Sequence, residues 1–192
     1  AYDLSVWHEI STWNGASYIP LVPERYSSFS IEDAYSNLLG SFIGMQALRS
    51  DLEYEAAMSN IIADKLKFLN AVNSVTDTKN AMNKVKEIWW TNKVKLPSKN
   101  IILKRRFEMY GCICPLLIVS DCVVCGVDNS LCVPTTLSNN KDIDDFYTLK
   151  IDTNFKIPTK KVLNQKSKII TQKDFIPLIN HAETMANIGQ IK

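Results

Sequence analysis

Histidine is scarce in this chain of 192 residues, which contains only His8 and His181. Residues 7–13 read WHEISTW and begin like the helix of a zinc protease. In that helix, two histidines four residues apart bind the metal and a glutamate activates water. The position four residues after His8 is Thr12, which cannot supply a neutral ring nitrogen. The sequence therefore argues against a zincin, and we expect neither a metal nor another cofactor.

An excess of one charge is also missing, because 22 Lys and Arg residues are balanced by 20 Asp and Glu residues. A net charge of +2 provides no concentrated basic face, so we expect no binding to nucleic acid. The apolar run at 116–124 (LLIVSDCVV) is shorter than the roughly 20 residues that span a bilayer, and Asp121 interrupts it. The chain starts at Ala1 without a signal peptide, so we expect a trimmed product whose targeting segment is missing.

Apolar residues of the first half recur at helical spacing and predict about four helices before Pro97. The third and fourth helices are expected to turn apolar faces inward, namely Leu52, Ala56, Ile62, Leu66 and Leu69, then Met82, Val85 and Trp89. Later β-branched runs separated by Pro, Asn and Asp indicate irregular antiparallel strands with clustered cysteines, and a closing helix is predicted from about Asp174. We therefore expect an α+β protein in one compact domain, with a helical part at 1–97 and a strand-rich part at 98–192.

The first of two polar clusters lies in the first helix, which is predicted over residues 2–14 from the spacing of Leu4, Trp7 and Ile10. His8 and Glu9 are neighbours, and Thr12 lies one turn beyond His8. A histidine beside a carboxylate can serve as a general base or proton shuttle. His8 and Glu9 are therefore candidate catalytic residues, with Thr12 in support. The alternative is a buried polar group held between the two tryptophans of WHEISTW.

The second polar cluster comprises Glu32, Asp33, Ser36 and Asn37. Two carboxylates in different surroundings can take separate pKa values for acid–base work, and the same oxygens can bind a hard cation. The alternative is that the two acids only stabilise a helix N-terminus, by a few tenths to about 1 kcal/mol each, which leaves Ser36 and Asn37 unexplained. We take Glu32 and Asp33 as candidate catalytic residues and the other two as supporting ones. This cluster is expected within direct or one-water reach of the first.

All five cysteines lie within residues 112–132, at positions 112, 114, 122, 125 and 132. C-x-C and C-x-x-C pairs can bind Zn²⁺, although the gap between these two pairs is shorter than in the usual ribbons. Disulfides and reduced core cysteines are the alternatives. In an oxidising compartment we expect a disulfide between Cys122 and Cys132, because Gly126, Asp128 and Asn129 between them can form a tight turn. A tighter Cys122–Cys125 ring is the other possible pairing.

The blocks WHEISTW, SSFSIEDAYSNLLG, KRRF and QKDFIPLINH together resemble a bacterial family of uncharacterised exported proteins and lipoproteins. Its members carry an HExxTW helix, an SxEDxYSNLLG helix and a later strand block with a Pro-bounded cysteine. The resemblance covers most of residues 3–185. Residues 107–115 (FEMYGCICP) depart from it, because the family has a small acidic Gly-rich turn there. The resemblance implies a Gram-negative envelope protein, periplasmic or outer-membrane associated, and it implies no activity.

Two functions follow from these residues. The first is a structural or accessory subunit of an outer-membrane or secretion-system assembly, with other envelope proteins as partners and a lipid anchor that this chain lacks. The alternative is a periplasmic hydrolase with His8, Glu9, Glu32 and Asp33 around one cleft. The missing metal-binding histidine and the altered strand block favour the subunit. An open pocket containing His8 and Glu32 would favour the enzyme, and burial of both beneath a partner would favour the subunit.

Overall fold

A computed structural model describes residues 1–17, 24–94, 101–119, 122–154 and 156–190. Within these ranges there are six α-helices: α1 (Tyr2–Trp13), α2 (Asp33–Leu48), α3 (Tyr54–Phe68), α4 (Val75–Val85), α5 (Thr159–Leu163) and α6 (Phe175–Gln190). None of the helices described there is long and apolar enough to cross a bilayer. The predicted end of the helical part at residue 97 lies outside the described residues.

The strands are short and pair two by two in antiparallel register. The pairs are β1 (Trp90–Thr91) with β2 (Ile101–Ile102), β3 (Cys112–Ile113) with β6 (Leu131–Cys132), β4 (Leu116–Val119) with β5 (Cys122–Cys125), and β7 (Lys150–Asp152) with β8 (Ile169–Thr171). Helices that precede irregular antiparallel strands, with a helix at the C-terminus, confirm the predicted α+β class.

The core lies where α1 contacts α2 and α6 and where these helices meet the strands. α1 buries Val6, Ile10 and Trp13, which recur at three- and four-residue steps and so share one face of the helix. α6 contributes the fully buried Phe175, whose ring stacks on Trp7 with 6.0 Å between the ring centres. The core therefore includes residues from both ends of the chain.

Three tyrosine hydroxyls anchor α1 to the second half of the chain. Tyr2 donates a hydrogen bond to the Met109 carbonyl at 2.5 Å. The Asp3 carboxylate accepts hydrogen bonds from Tyr110, at 2.9 Å, and from Tyr147. Burial, reinforced by the negative charge of Asp3, raises the pKa of Tyr110, so this hydroxyl remains a donor at neutral pH. These bonds hold the N-terminal helix in place.

Of the residues predicted to face inward on the third and fourth helices, Val85 is buried as expected, but most of the others are exposed. α3 buries Ala57 and α4 buries Val85, while Ile62, Leu66 and Met82 are exposed. The physical reason is that α3 packs on α2 along a narrow strip, and its remaining apolar face is turned to solvent. Helical spacing reveals an apolar face, but it does not reveal whether another element covers that face.

The disulfides also differ from the prediction. Cys112 is bonded to Cys132 and Cys114 to Cys125, so the predicted Cys122–Cys132 bond is wrong. Strand register is the reason: β3 and β6 pair so that Cys112 lies opposite Cys132, whereas Cys122 lies opposite Val119 in the β4–β5 hairpin. The turn predicted to close a Cys122–Cys132 loop instead connects strands of two different sheets. Four of the five cysteines are thereby paired, which rules them out as thiolate ligands for zinc.

Candidate functional site

The two predicted polar clusters meet at one open pocket. A cavity of about 340 Å³ is lined by the four predicted catalytic residues and Thr12, together with three serines and one isoleucine: His8, Glu9, Thr12, Ser27, Ser28, Ser30, Glu32, Asp33 and Ile102. Ser36 and Asn37 do not line it. The Ser36 hydroxyl instead donates to the Asp33 backbone carbonyl, at 3.3 Å.

Helical spacing explains why Glu9 is buried whereas its neighbour His8 is exposed. Glu9 lies on the buried face of α1 and is only 4% exposed, although it carries a carboxyl group. His8 is one position away and lies exposed at the rim of the pocket, so Glu9 and Thr12 belong to the buried polar group of the alternative and His8 does not. Thr12 is buried, and its hydroxyl donates to the backbone carbonyls of His8, at 2.9 Å, and Glu9, at 3.2 Å. Thr12 thus supports the helix that presents Glu9.

A strained backbone holds the carboxyl group of Glu9. Its Oε2 accepts a hydrogen bond from the Phe29 N–H at 2.5 Å. Phe29 has a φ of +56°, in the left-handed region that costs a residue with a Cβ about 1–2 kcal/mol. Its side chain is fully buried against Phe107, with 4.8 Å between the ring centres, and its carbonyl accepts from the Arg106 N–H at 2.9 Å. Packing therefore maintains a strained residue whose N–H points at the carboxylate, as is typical of functional sites.

The surroundings of Glu9 raise its pKa from 4.5 to about 7. Burial is the main cause, because it penalises the charged form. The hydrogen bond from Phe29 and the positive charge of Arg105 lower the pKa, whereas the negative charges of Asp33 and Glu32 raise it. A carboxyl group with a pKa near 7 is protonated in about half of the molecules at neutral pH and can both donate and accept a proton.

Arg105 is a residue of the site that the sequence did not predict. Its guanidinium donates to the Ser28 carbonyl and, at 3.2 Å, to the Arg25 carbonyl, and it lies 5.1 Å from the centre of the Trp13 ring. The pKa of Arg105 is lowered to about 10, mainly by burial. This value is still well above 7, so Arg105 stays positively charged at neutral pH. Its charge therefore always favours the ionised form of Glu9.

Ser27 and Ser28 are likewise lining residues that the sequence reasoning missed. A signal for these residues is present in the blocks SSFS and KRRF: SSFS ends two residues before the acidic pair, and KRRF contains Arg105. The family resemblance rests on these blocks, but the sequence pattern alone does not place them at the site.

An apolar groove of about 430 Å³ adjoins the pocket, and Ser27, Glu32 and Ile102 line both. Its walls come from α4, from the β1–β2 pair and from the start of α2, and they are mostly apolar: Ile31, Met82, Val85, Trp89, Trp90 and Ile101. The site thus has a polar end, around Glu9, and an apolar end.

Potential metal ligands do not converge in this part of the molecule. Among the described residues, no group of three or more histidines, cysteines, aspartates or glutamates is arranged to hold a metal ion. His181 lies in α6 and is not among the lining residues of the pocket. The pocket offers a buried carboxylic acid, two more exposed carboxylates and a histidine at the rim.

The family comparison covers the segment that builds this site. Residues 1–118 match the model of the family described as "Protein of unknown function (DUF4056)". This segment contains every lining residue of the pocket, together with Arg105 and the apolar groove. No curated protein and no solved structure matches the chain.

Proposed function

The chain belongs to DUF4056, a family of unknown function, and we propose that it is a hydrolase in which Glu9 is the catalytic acid. One observation carries the proposal: a buried carboxyl group with a pKa raised to about 7 lines an open pocket that also contains Glu32 and Asp33. A buried acid beside more exposed carboxylates is the arrangement that separates a proton donor from a proton acceptor. The open pocket contains both His8 and Glu32, which is the feature expected of the enzyme.

Hydrolysis of a glycosidic bond is the reaction that suits two such carboxyl groups. Protonated Glu9 would donate its proton to the leaving oxygen as the glycosidic C–O bond breaks. Asp33, which is half-buried at the start of α2, would accept a proton from the attacking water. One water molecule is then divided between the two products, and the proton on Asp33 returns to Glu9 through solvent.

Two groups stabilise the carboxylate that Glu9 becomes after it has donated its proton. The Phe29 N–H is already hydrogen-bonded to Oε2, and the positive charge of Arg105 acts in the same direction. Burial alone would favour a permanently protonated Glu9, and these two groups oppose it. The strain at Phe29 thereby has a chemical role, because it keeps the N–H directed at the reacting carboxyl group.

The cell envelope is the location that we propose for this reaction, with an envelope glycan as the substrate. Two disulfides suit an oxidising compartment such as the periplasm, since cytosolic thiols are kept reduced. The resemblance to exported proteins and lipoproteins supports the same location.

Release of reducing ends from purified peptidoglycan, from soluble oligosaccharides and from alkyl glycosides tests the proposal. Glu9→Gln should lower kcat by at least about 100-fold, the usual contribution of a general acid. Glu55→Gln is the matched control, because Glu55 is exposed on α3 and does not line the pocket. A folded Glu9→Gln variant with wild-type activity, or a wild-type protein that cleaves none of these glycans, would refute the glycosidase.

A subunit of an envelope assembly is a second function, and the exposed apolar face of α3 favours it. Leu66 is 48% exposed and Phe68 is 70% exposed. Large exposed apolar areas commonly mark contacts with other proteins. Leu66→Glu should release the chain from outer-membrane assemblies in fractionated cells, while Asn60→Glu, an equal change of charge on the same helix, should not. Equal fractionation of both variants and the wild type would count against the subunit.

A further inference from the structure

The apolar groove beside the pocket has the dimensions of a ligand site. Its volume of about 430 Å³ lies within the roughly 300–1,000 Å³ of small-molecule pockets. Ile31 and Val85 are buried side chains that line it, and Met82 stands at its exposed edge. The β1–β2 pair forms the facing wall, where Trp90 lies opposite Ile102.

The border that the groove shares with the Glu9 pocket indicates which kind of ligand fits. Ser27, Glu32 and Ile102 line both spaces, so the two lie side by side and a molecule that extends past these three residues would reach both. A bare oligosaccharide would place many of its hydroxyl groups against isoleucine, valine and methionine side chains, where they would lose hydrogen bonds to water. An apolar chain in the groove avoids that loss and gains the free energy of burial.

The charges of the pocket restrict the polar part of the ligand. Glu9, Glu32 and Asp33 all line the pocket, and an anionic group would be repelled by the ionised carboxylates. An uncharged sugar can instead hydrogen-bond to these carboxylates and to the hydroxyls of Ser27 and Ser28.

We infer that the substrate is an amphiphile, with an uncharged sugar in the Glu9 pocket and an apolar chain in the groove of α4 and β1–β2. The inference rests on the proposed function for the bond that is cleaved. The occupation of the groove depends only on its geometry and can be tested without turnover.

Calorimetric titration of the Glu9→Gln variant with octyl, nonyl and decyl maltosides, each below its critical micelle concentration, tests the inference. Each added methylene should tighten the Kd by about fourfold, which corresponds to about 0.8 kcal/mol per methylene. Maltose, which has no apolar chain, should bind more weakly than any of the three.

Two groove variants and one control locate the binding. Ala81→Trp, in the Glu9→Gln background, adds bulk to a lining residue and should abolish the dependence on chain length. Met82→Glu, in the same background, should raise the Kd for decyl maltoside by at least tenfold. Met45→Glu is the matched control for Met82→Glu. Met45 is 39% exposed, against 51% for Met82, and it lies on α2 and does not line the groove. The Met45→Glu variant should therefore bind decyl maltoside with the same Kd as Glu9→Gln.

The outcomes separate the inference from the proposed function. Affinity that is independent of chain length, or a chain-length dependence that persists in Ala81→Trp, would overturn the amphiphile whether or not the protein cleaves glycans. Chain-length-dependent binding that Ala81→Trp removes and Met82→Glu weakens supports the groove, even if the wild type hydrolyses none of the glycosides. Binding in the groove without any hydrolysis would refute the proposed hydrolase and leave the amphiphile inference standing.

Discussion

Replacing Glu9 by glutamine should stabilise this protein at neutral and alkaline pH. A buried carboxyl group whose pKa is raised costs folding free energy once it ionises, and glutamine cannot ionise. The glutamine side-chain oxygen can still accept the hydrogen bond that the Phe29 N–H donates to Oε2. The substitution therefore removes a charge and keeps the contact.

The magnitude follows from the shift of the Glu9 pKa, from 4.5 to about 7. Each unit corresponds to about 1.4 kcal/mol, so the cost at alkaline pH is about 3 kcal/mol. The folded protein binds this proton more tightly than the unfolded chain does. The stabilising contribution is therefore complete below pH 4.5, and it is lost as the pH rises towards about 7.

Urea denaturation of wild type and variant, followed by tryptophan fluorescence, measures the effect. We expect the free energy of unfolding of Glu9→Gln, relative to wild type, to increase by about 2–3 kcal/mol between pH 5 and pH 8. Other titrating groups cancel in this difference, and the exposed Glu55→Gln should show no such trend. A Glu9→Gln variant less stable than wild type at pH 8 would refute the reasoning, because it would show that the charged carboxylate is a structural partner.

Three further predictions concern the fold and the charge beside Glu9. Asp3→Ala removes the acceptor of two tyrosine hydroxyls and should lower the free energy of unfolding by about 1–3 kcal/mol in the same urea assay. Peptide mapping without reduction should recover the Cys112–Cys132 and Cys114–Cys125 peptides, and a Cys122–Cys132 peptide would contradict the strand register. Arg105→Met should raise the pKa of Glu9 further, because it removes a charge that lowers it, and an NMR titration of the Glu9 carboxyl carbon would show an unchanged pKa if this is wrong.

The polar residues of the site were predictable because they stand out against an apolar sequence pattern. Glu32 and Asp33 stand at the start of an apolar helix, and Glu9 lies among tryptophan and isoleucine residues. The buried face of α1 was harder to assign, since Leu4 fits the helical spacing yet is 55% exposed, while Val6 is fully buried. α1 carries apolar residues on several sides, so its periodicity does not select one face.

Long-range contacts account for what the sequence could not reveal. Arg105 acts on a carboxyl group far away along the chain, and only the fold brings the two together. The cysteine pairing depends on the register of β3 with β6, which no local turn signal determines. The left-handed conformation of Phe29 is equally unexpected, because a bulky residue adopts it only where tertiary packing enforces it.

The pH dependence of kcat/KM for glycan hydrolysis tests the central claim, that Glu9 is the catalytic acid, most directly. Activity should fall as the pH rises through about 7, where Glu9 loses its proton. In Glu32→Gln the fall should move to lower pH, because the negative charge of Glu32 raises the pKa of Glu9. An alkaline fall at the same pH in both proteins, or one that persists in Glu9→Gln, would contradict the assignment of Glu9 as the acid.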